Sequence, residues 1–247
     1  MIYCFIFLME VMKLFKARYE TRYGDYKDFD NIKFGSILDI IQDVSTKNSS
    51  ECGYGLFEMR DMKKAWLLKG MNIKLEQKVK TLTPIDVHTA VKPLKGATSQ
   101  RGCILYQNGE VKLKSIADWF LFDTEKKRPV RIPDEMSGCY QVHDFDDEFF
   151  TYKKPEIKPD VPFVYRIKVS NRDIDTNCHL NNEKGAELLI DALPYEFEFN
   201  FVKTLFKKPC FLGDELEVCR EKTENGYYVH LQTPQREICV AGTFENI

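Results

Sequence analysis

Of the four histidines in the chain, only His179 lies among other groups that could share a reaction. It lies in the run Asp173-Ile174-Asp175-Thr176-Asn177-Cys178-His179-Leu180-Asn181-Asn182. Read as extended backbone, the run sends Asp175, Asn177 and His179 to one side, spaced roughly 6.6–7 Å apart. An apolar helical pattern follows directly. The three side chains therefore stand at the head of a helix, where free N–H groups and a partial positive charge collect. A carboxylate, an amide and an imidazole in such a place suit acyl transfer to water. His179 would serve as general base near neutral pH, Asp175 would orient the imidazole or the water, and Asn177 would donate to the carbonyl or position the nucleophile. The competing reading is that Asp and Asn before a helix are turn and cap residues only.

A cysteine nucleophile is the rival chemistry. Cys178 adjoins His179, but alternation sends the two side chains to opposite faces. Cys210 could approach His179 in three dimensions, although a buried inert thiol is the plainer reading. His88 and His230 fall inside strand patterns and His143 in a connecting segment, so these three are read as structural. The sequence holds no G-x-S-x-G elbow, no P-loop and no G-x-G-x-x-G fingerprint.

Composition sets the frame for these residues. The 247 residues are 43% hydrophobic and 30% charged, with a formal net charge of -2. That is the profile of a globular protein with no basic field to draw nucleic acid. Length allows one large domain or two of roughly 100–120 residues. The eight cysteines form no C-x-x-C pair, so they are read as mostly buried, reduced thiols rather than a disulfide framework or a zinc site. No cofactor and no metal is expected, and the expected compartment is the cytoplasm. Residues 1–11 are apolar, interrupted by Glu10, and lack a basic leader region. They are read as an extension or a misassigned start, with Met12 opening the natural sequence; a membrane anchor is the sharper alternative.

Two similar series of elements would position the site. An edge strand over Lys16–Arg22 leads through a polar turn to a helix over Phe34–Lys47, where Phe34, Ile37, Leu38, Ile41 and Val44 recur at helical spacing. Strands follow at Trp66–Leu75 and Ile85–Val91, then a hairpin turning on Asn108-Gly109 whose return arm is Val111–Phe122. Residues 123–162 hold five of the ten prolines and read as a linker packed over the surface. The series then repeats: a strand at Phe163–Val169, a helix capped by Asn182 and stopped by Pro194, an alternating strand through Tyr195, Phe197, Phe199 and Phe201, a pair across Asn225-Gly226, and a last strand at Ile238–Phe244. The segments Arg22–Asn31 and Asn171–Asn182 echo each other. The expected fold is therefore α+β: a tandem, double hotdog, each half an antiparallel sheet wrapped around a central helix. Residues 12–134 form the first half, 135–160 the linker and 161–247 the second half.

The run D-I-D-T-N-C-H-L-N-N resembles the active-site signature of the acyl-acyl-carrier-protein (acyl-ACP) thioesterases of bacteria and plants. AWLLKGMNIKLEQ (Ala65–Gln77) resembles the family's core strand, SIADWFLFDTEKKRPVRIP (Ser115–Pro133) its closing strand, and GDELEV (Gly213–Val218) a late strand start. The resemblance extends over nearly the whole chain from Met12. It implies that Asp175, Asn177 and His179 are catalytic. It also implies that the protein is a thiolester hydrolase releasing fatty acid from fatty acyl-ACP in fatty acid biosynthesis, without metal. The acyl chain would lie in the first hotdog and the catalytic residues in the second. The implied partner is an acidic acyl carrier protein, for which Lys126, Lys127, Arg128 and Arg131 form a basic run, a solvated linker being the plainer account of that run. No nucleic acid and no stable membrane insertion is expected, and a homodimer stays open.

Two positions depart from the pattern. Pro209 stands where the family has a glutamate that contributes to catalysis, and Gly185 stands where an aromatic is usual. The first departure favours one alternative, a non-catalytic acyl-binding protein; an acyl-CoA thioesterase, which would differ in its docking surface, and, more weakly, a double-hotdog dehydratase are the other readings. Chain-length preference is not legible, because one methylene changes binding by only about 0.8 kcal/mol.

Overall fold

The computed structural model describes residues 14–247. The apolar segment at 1–11 lies outside the described residues. The chain runs β1 (Phe15–Tyr19), α1 (Phe34–Glu51), α2 (Leu56–Asp61), β2 (Lys64–Leu75), β3 (Ile85–Val91), β4 (Thr98–Gln107), β5 (Glu110–Asp123), a two-residue β6 (Arg128–Pro129) and a single turn of helix, α3 (Asp134–Ser137). The second series is β7 (Phe163–Lys168), α4 (Asn182–Asp191), β8 (Phe201–Phe206), β9 (Glu215–Lys222), β10 (Gly226–Gln232) and β11 (Ile238–Glu245).

The strands form one antiparallel sheet in the order β1-β3-β4-β5-β2-β8-β11-β10-β9-β7, with β6 appended to β5. Each half has the same internal order, and the halves meet where β2 pairs with β8, from Gly70 opposite Leu205 to Lys74 opposite Phe201. The sheet wraps α1 in one half and α4 in the other, so the fold is a double hotdog. Helical spacing buries Ile37, Leu38, Ile41 and Val44 of α1 against Val87, Leu105 and Leu113, whose alternation turns them inward. In the second half Ala186 and Leu189 of α4 meet Val218, Val229, Val240 and Phe244. The β4–β5 hairpin turns at Asn108 (φ 53°) and Gly109 (φ 81°), two positive values in succession, as a type I′ turn requires.

Three local features differ from the sequence reading. The cap of α4 is Asn181, whose side chain accepts from the Glu183 N–H, rather than Asn182. The alternating segment at Tyr195–Asn200 is not a strand: the Phe197 N–H donates to the Pro194 carbonyl and closes a turn, and β8 begins at Phe201. Tyr195 is left exposed while Phe197 and Phe199 pack on the core, so the alternation records a burial pattern without a ladder. Four of the seven described cysteines are buried, but Cys139 and Cys178 are exposed; all seven are free thiols.

The connection between the halves is packed rather than loose. Met136 and Tyr140 are buried with Met59, Val91 and Leu121. Phe145 and Phe150 stack at 4.1 Å over the outer face of the first half, beside Ala90 and Ile116. Gly102 permits this approach, since a Cβ there would come within 2.5 Å of the Phe145 ring. Among the described residues no helix is long and apolar enough to cross a membrane.

Candidate active site

The site is built on the loop between β7 and α4. A short 3-10 turn at Asn171–Asp173 opens it, held by the Asp173 carboxylate, which accepts from the Ser170 N–H at 2.8 Å and from Ser170 Oγ at 2.6 Å. The Leu180 N–H donates to the Cys210 carbonyl at 2.8 Å, tying the loop to the strand connection after β8. The Asn181 N–H donates to the Asp173 carbonyl at 2.8 Å and delivers the chain into α4.

Between these ties the backbone is not extended. The Asp175 N–H donates to the His179 carbonyl and the Cys178 N–H to the Asp175 carbonyl, at 2.8 and 3.0 Å. Cys178 takes a left-handed conformation, φ 62°. The strand-like spacing expected for Asp175, Asn177 and His179 is therefore replaced by a tight turn that gathers them within five residues. The Asp175 carboxylate faces the loop itself: Oδ1 accepts from the Asn177 N–H at 2.8 Å and from the His179 N–H at 3.2 Å. It holds the backbone that carries the imidazole, and no hydrogen bond joins it to the imidazole ring. The His179 ring stands edge-on to Phe211, 5.0 Å between centroids.

Asn177 reaches farther than its sequence position suggests. It is an exposed lining residue of a cavity of about 420 Å³ that is otherwise made by the first half of the chain and by Tyr140 of the connecting segment. The inner walls come from Ser45 and Ser49 of α1, Trp66 of β2, Arg101 of β4, Trp119 of β5 and Tyr140. Arg60, Lys63, Lys64 and Thr124 surround the entrance. A loop of the second half thus meets a chamber of the first.

The departures noted in the sequence have clear settings. Pro209 immediately precedes Cys210, whose carbonyl binds the loop, so it sits beside the site yet offers neither acid nor donor there. The Cys210 thiol is buried, and its pairing with Cys239 together with burial pushes its pKa up. Gly185 faces Val240 and Phe206 at 3.4 and 3.7 Å from where a Cβ would stand, so those side chains occupy the room an aromatic would need.

Sequence reasoning passed over two polar groups near the site. Arg101 occupies a core-facing position of β4, where alternation through Ser99, Arg101, Cys103 and Leu105 was the available signal. Glu183, in the first turn of α4, reads as an acid complementing the helix dipole, which would hold its pKa down. Instead burial and hydrogen bonding to the Asp39 carboxyl of α1 raise it to about 7, against the pull of Lys184.

Sequence comparison matches residues 12–140 to the acyl-ACP thioesterase N-terminal domain and residues 157–241 to the acyl-ACP thioesterase C-terminal domain. The chain belongs to the acyl-ACP thioesterase family. Among solved structures, an acyl-ACP thioesterase from Bacteroides thetaiotaomicron superposes with a TM-score of 0.85 at 17% identity, covering 94% of this chain and 97% of that one. A putative oleoyl thioesterase from Lactobacillus plantarum gives 0.82 at 15% identity, with 96% of each chain covered. The 12:0-ACP thioesterase from Umbellularia californica gives 0.82 at 14% identity, covering 94% and 96%. At these identities the likeness speaks for the fold. A search of curated protein sequences finds no match.

Proposed function

We propose that the protein hydrolyses fatty acyl-ACP, with the chain held in the first half (residues 12–134) and the reaction carried out by Asp175, Asn177 and His179 of the second half (161–247). The observation that carries this reading is the junction at Asn177, which puts an amide donor of the second-half loop at the mouth of a chamber walled by the first half. A thioester lodged at that mouth leaves its chain inside and its carrier outside.

The chemistry needs few groups. His179 accepts a proton from water as the oxygen attacks the thioester carbonyl carbon. The carbonyl oxygen becomes an oxyanion and takes a hydrogen bond from Asn177 Nδ2. Collapse re-forms the carbonyl and breaks the C–S bond, and the imidazolium returns its proton to the departing thiolate. Asp175 acts by fixing the loop: its two backbone N–H bonds set where Asn177 and His179 stand.

The entrance also suits an acidic carrier. Lys63, Lys64 and Arg60 line the cavity with Thr124, Lys64 pairing with Asp123 at 2.7 Å and Arg60 with Asp61 at 3.0 Å, and the Lys126–Arg131 segment follows Thr124 in the chain. Lys126 is within 3.9 Å of Asp123 and Arg131 within 3.6 Å of Asp134. Lys127 and Arg128 have no ion-pair partner among the described residues and are free to receive one from a docking protein.

The deciding experiment compares steady-state release of fatty acid from matched acyl-ACP and acyl-CoA by the wild type and by His179→Ala. Release from acyl-ACP that falls about 10²-fold or more in the variant supports the mechanism. Faster release from acyl-CoA would reassign the carrier. Retention of acyl-ACP without turnover by the folded wild type would replace hydrolysis by acyl binding, the reading that Pro209 favours.

A further inference from the structure

The cavity behind Asn177 is not a plain hydrocarbon sheath. The face that α1 turns toward it carries Gln42, Ser45, Thr46 and Ser49 at helical spacing. Opposite, alternation along β4 drives Arg101 inward, and the residue is only 6% exposed. Its Nη1 donates to Asn48 Oδ1 at 2.8 Å and lies 3.4 Å from Thr89 Oγ1. The guanidinium sits over the Tyr140 ring, 5.4 Å from its centroid.

Among the described residues no carboxylate lies within ion-pair distance of Arg101, and the ionisable groups beside it are Cys103, Tyr140 and Cys52. Burial raises the pKa of each, so none offers a negative charge at neutral pH. A guanidinium has five N–H donors and stays charged in proteins. Here the protein engages Nη1, while Nε and Nη2 make no hydrogen bond within the described residues. Buried charges are ordinarily paired, because an unpaired one is costly to remove from water. This one lines a cavity that opens to the surface beside the proposed reaction centre.

We propose that Arg101 sets substrate specificity by binding an oxygen acceptor on the distal part of the acyl chain, a carboxylate above all, so that the preferred acyl group is that of a dicarboxylic acid joined to its carrier through one end. This rests on the cavity being the acyl site. A carboxylate accepts from the guanidinium fork in two parallel hydrogen bonds and supplies the missing negative charge. A saturated chain of the same length would leave the guanidinium desolvated without a partner, so it binds less well.

Binding tests this without hydrolysis. Trp66 and Trp119, the two tryptophans of the chain, both line the cavity, so their emission reports its occupancy. The wild type is titrated with monomethyl esters of dicarboxylic acids and with methyl esters of monocarboxylic acids, in series of matched chain length. The half-esters are expected to bind about tenfold tighter or more, as for hydrogen bonds to a charged group. Arg101→Met should cancel or reverse the preference, and Arg101→Lys should keep part of it. Equal affinity of the wild type for the two series overturns the proposal, whether or not the variants fold. So does a preference that survives in a folded Arg101→Met. Because no thioester is cleaved in this assay, a protein that proves unable to hydrolyse acyl-ACP leaves its outcome intact, and the two readings fail separately.

Discussion

The two halves enter their central helices through loops that share one backbone design and differ in chemistry. In the first half the Asp25 N–H donates to the Arg22 carbonyl, the Lys27 N–H to Asn31, the Ile32 N–H to Val79 and the Lys33 N–H to Asp25. In the second half Asp173, Asp175, Leu180 and Asn181 make the corresponding bonds to Ser170, His179, Cys210 and Asp173. Both loops open with a 3-10 turn whose third residue is an aspartate bonded back to the N-cap backbone. On this shared frame Lys27, Phe29 and Asn31 stand where the second half has Asp175, Asn177 and His179. Phe29 is fully exposed, whereas Asn177 meets the cavity. The frame belongs to folding, since both halves keep it. In the proposed mechanism the difference in function rests on a few side chains placed upon it.

The largest expected effect comes from making the second loop resemble the first. His179→Asn installs the residue of the other half on an unchanged backbone. It should lower kcat for acyl-ACP by about 10²-fold or more while leaving the melting temperature nearly unaltered. Retained turnover would remove the imidazole from the mechanism.

A sharper contrast lies in the two loop carboxylates. Asp28 does for the first loop what Asp175 does for the second: its Oδ1 accepts from the Asp30 and Asn31 N–H groups at 2.9 and 2.8 Å. Asp28→Ala and Asp175→Ala should each lower stability modestly and to a similar extent, as the hydrogen bonds that each carboxylate accepts within its own loop are lost. Only Asp175→Ala should also reduce kcat, by roughly tenfold or more, since loop position governs catalytic geometry. Parallel denaturation and rate measurements check this. Equal rates in the two variants would make Asp175 a turn residue and nothing else.

The sequence displayed more of the frame than of the site. The amphipathic periods of α1 and α4, the Asn108-Gly109 hairpin and the duplicated order of elements were legible because burial and turn chemistry act locally. The signature residues were legible as a cluster, but their geometry was not: a loop closed by Asp175 onto its own backbone carries the same letters as an extended one. The alternation at Tyr195–Phe201 misled for a related reason, since aromatic residues can pack on a core without joining a ladder. Arg101 was passed over although it alternates in step with Cys103 and Leu105, because a charged side chain in a strand is ordinarily read as solvated. Which face turns inward is settled by the packing of β4 against α1.

The helices extend the comparison. Where α4 has Glu183, the matching position of α1 is Gly35, so only one half places a buried acid at the helix–helix contact. The Glu183 pKa rises from 4.5 to about 7 through burial and its hydrogen bond to Asp39. A carboxyl raised in the fold contributes stability that is fully present below its unfolded value and is lost as pH rises through its folded value. Stability should therefore decline between about pH 4.5 and 7, and Glu183→Gln should flatten that part of the profile. Chemical denaturation midpoints across this range test it. Parallel profiles for the two proteins would mean that the proton of Glu183 is not linked to folding.

The smallest effect should come from the next inward position, where α1 has the buried Ile37 and α4 has Gly185. A glycine inside a helix costs about 0.5–1 kcal/mol relative to alanine, through the backbone freedom it loses on folding. The added methyl would stand 3.4 Å from Val240 and 3.8 Å from Leu180, which is ordinary contact, so Gly185→Ala should gain most of that difference. For a chain of this size each kcal/mol moves the melting temperature by roughly 2–4 °C, so a rise of that order or less is expected. Gly185→Phe should be destabilising instead, because Phe206 and Val240 fill the space a ring would enter. If the phenylalanine variant proved as stable as the alanine one, the second half would have more slack around α4 than its packing indicates. Gly185 would then mark a functional choice, whereas the geometry makes it a consequence of how Phe206 already fills that corner.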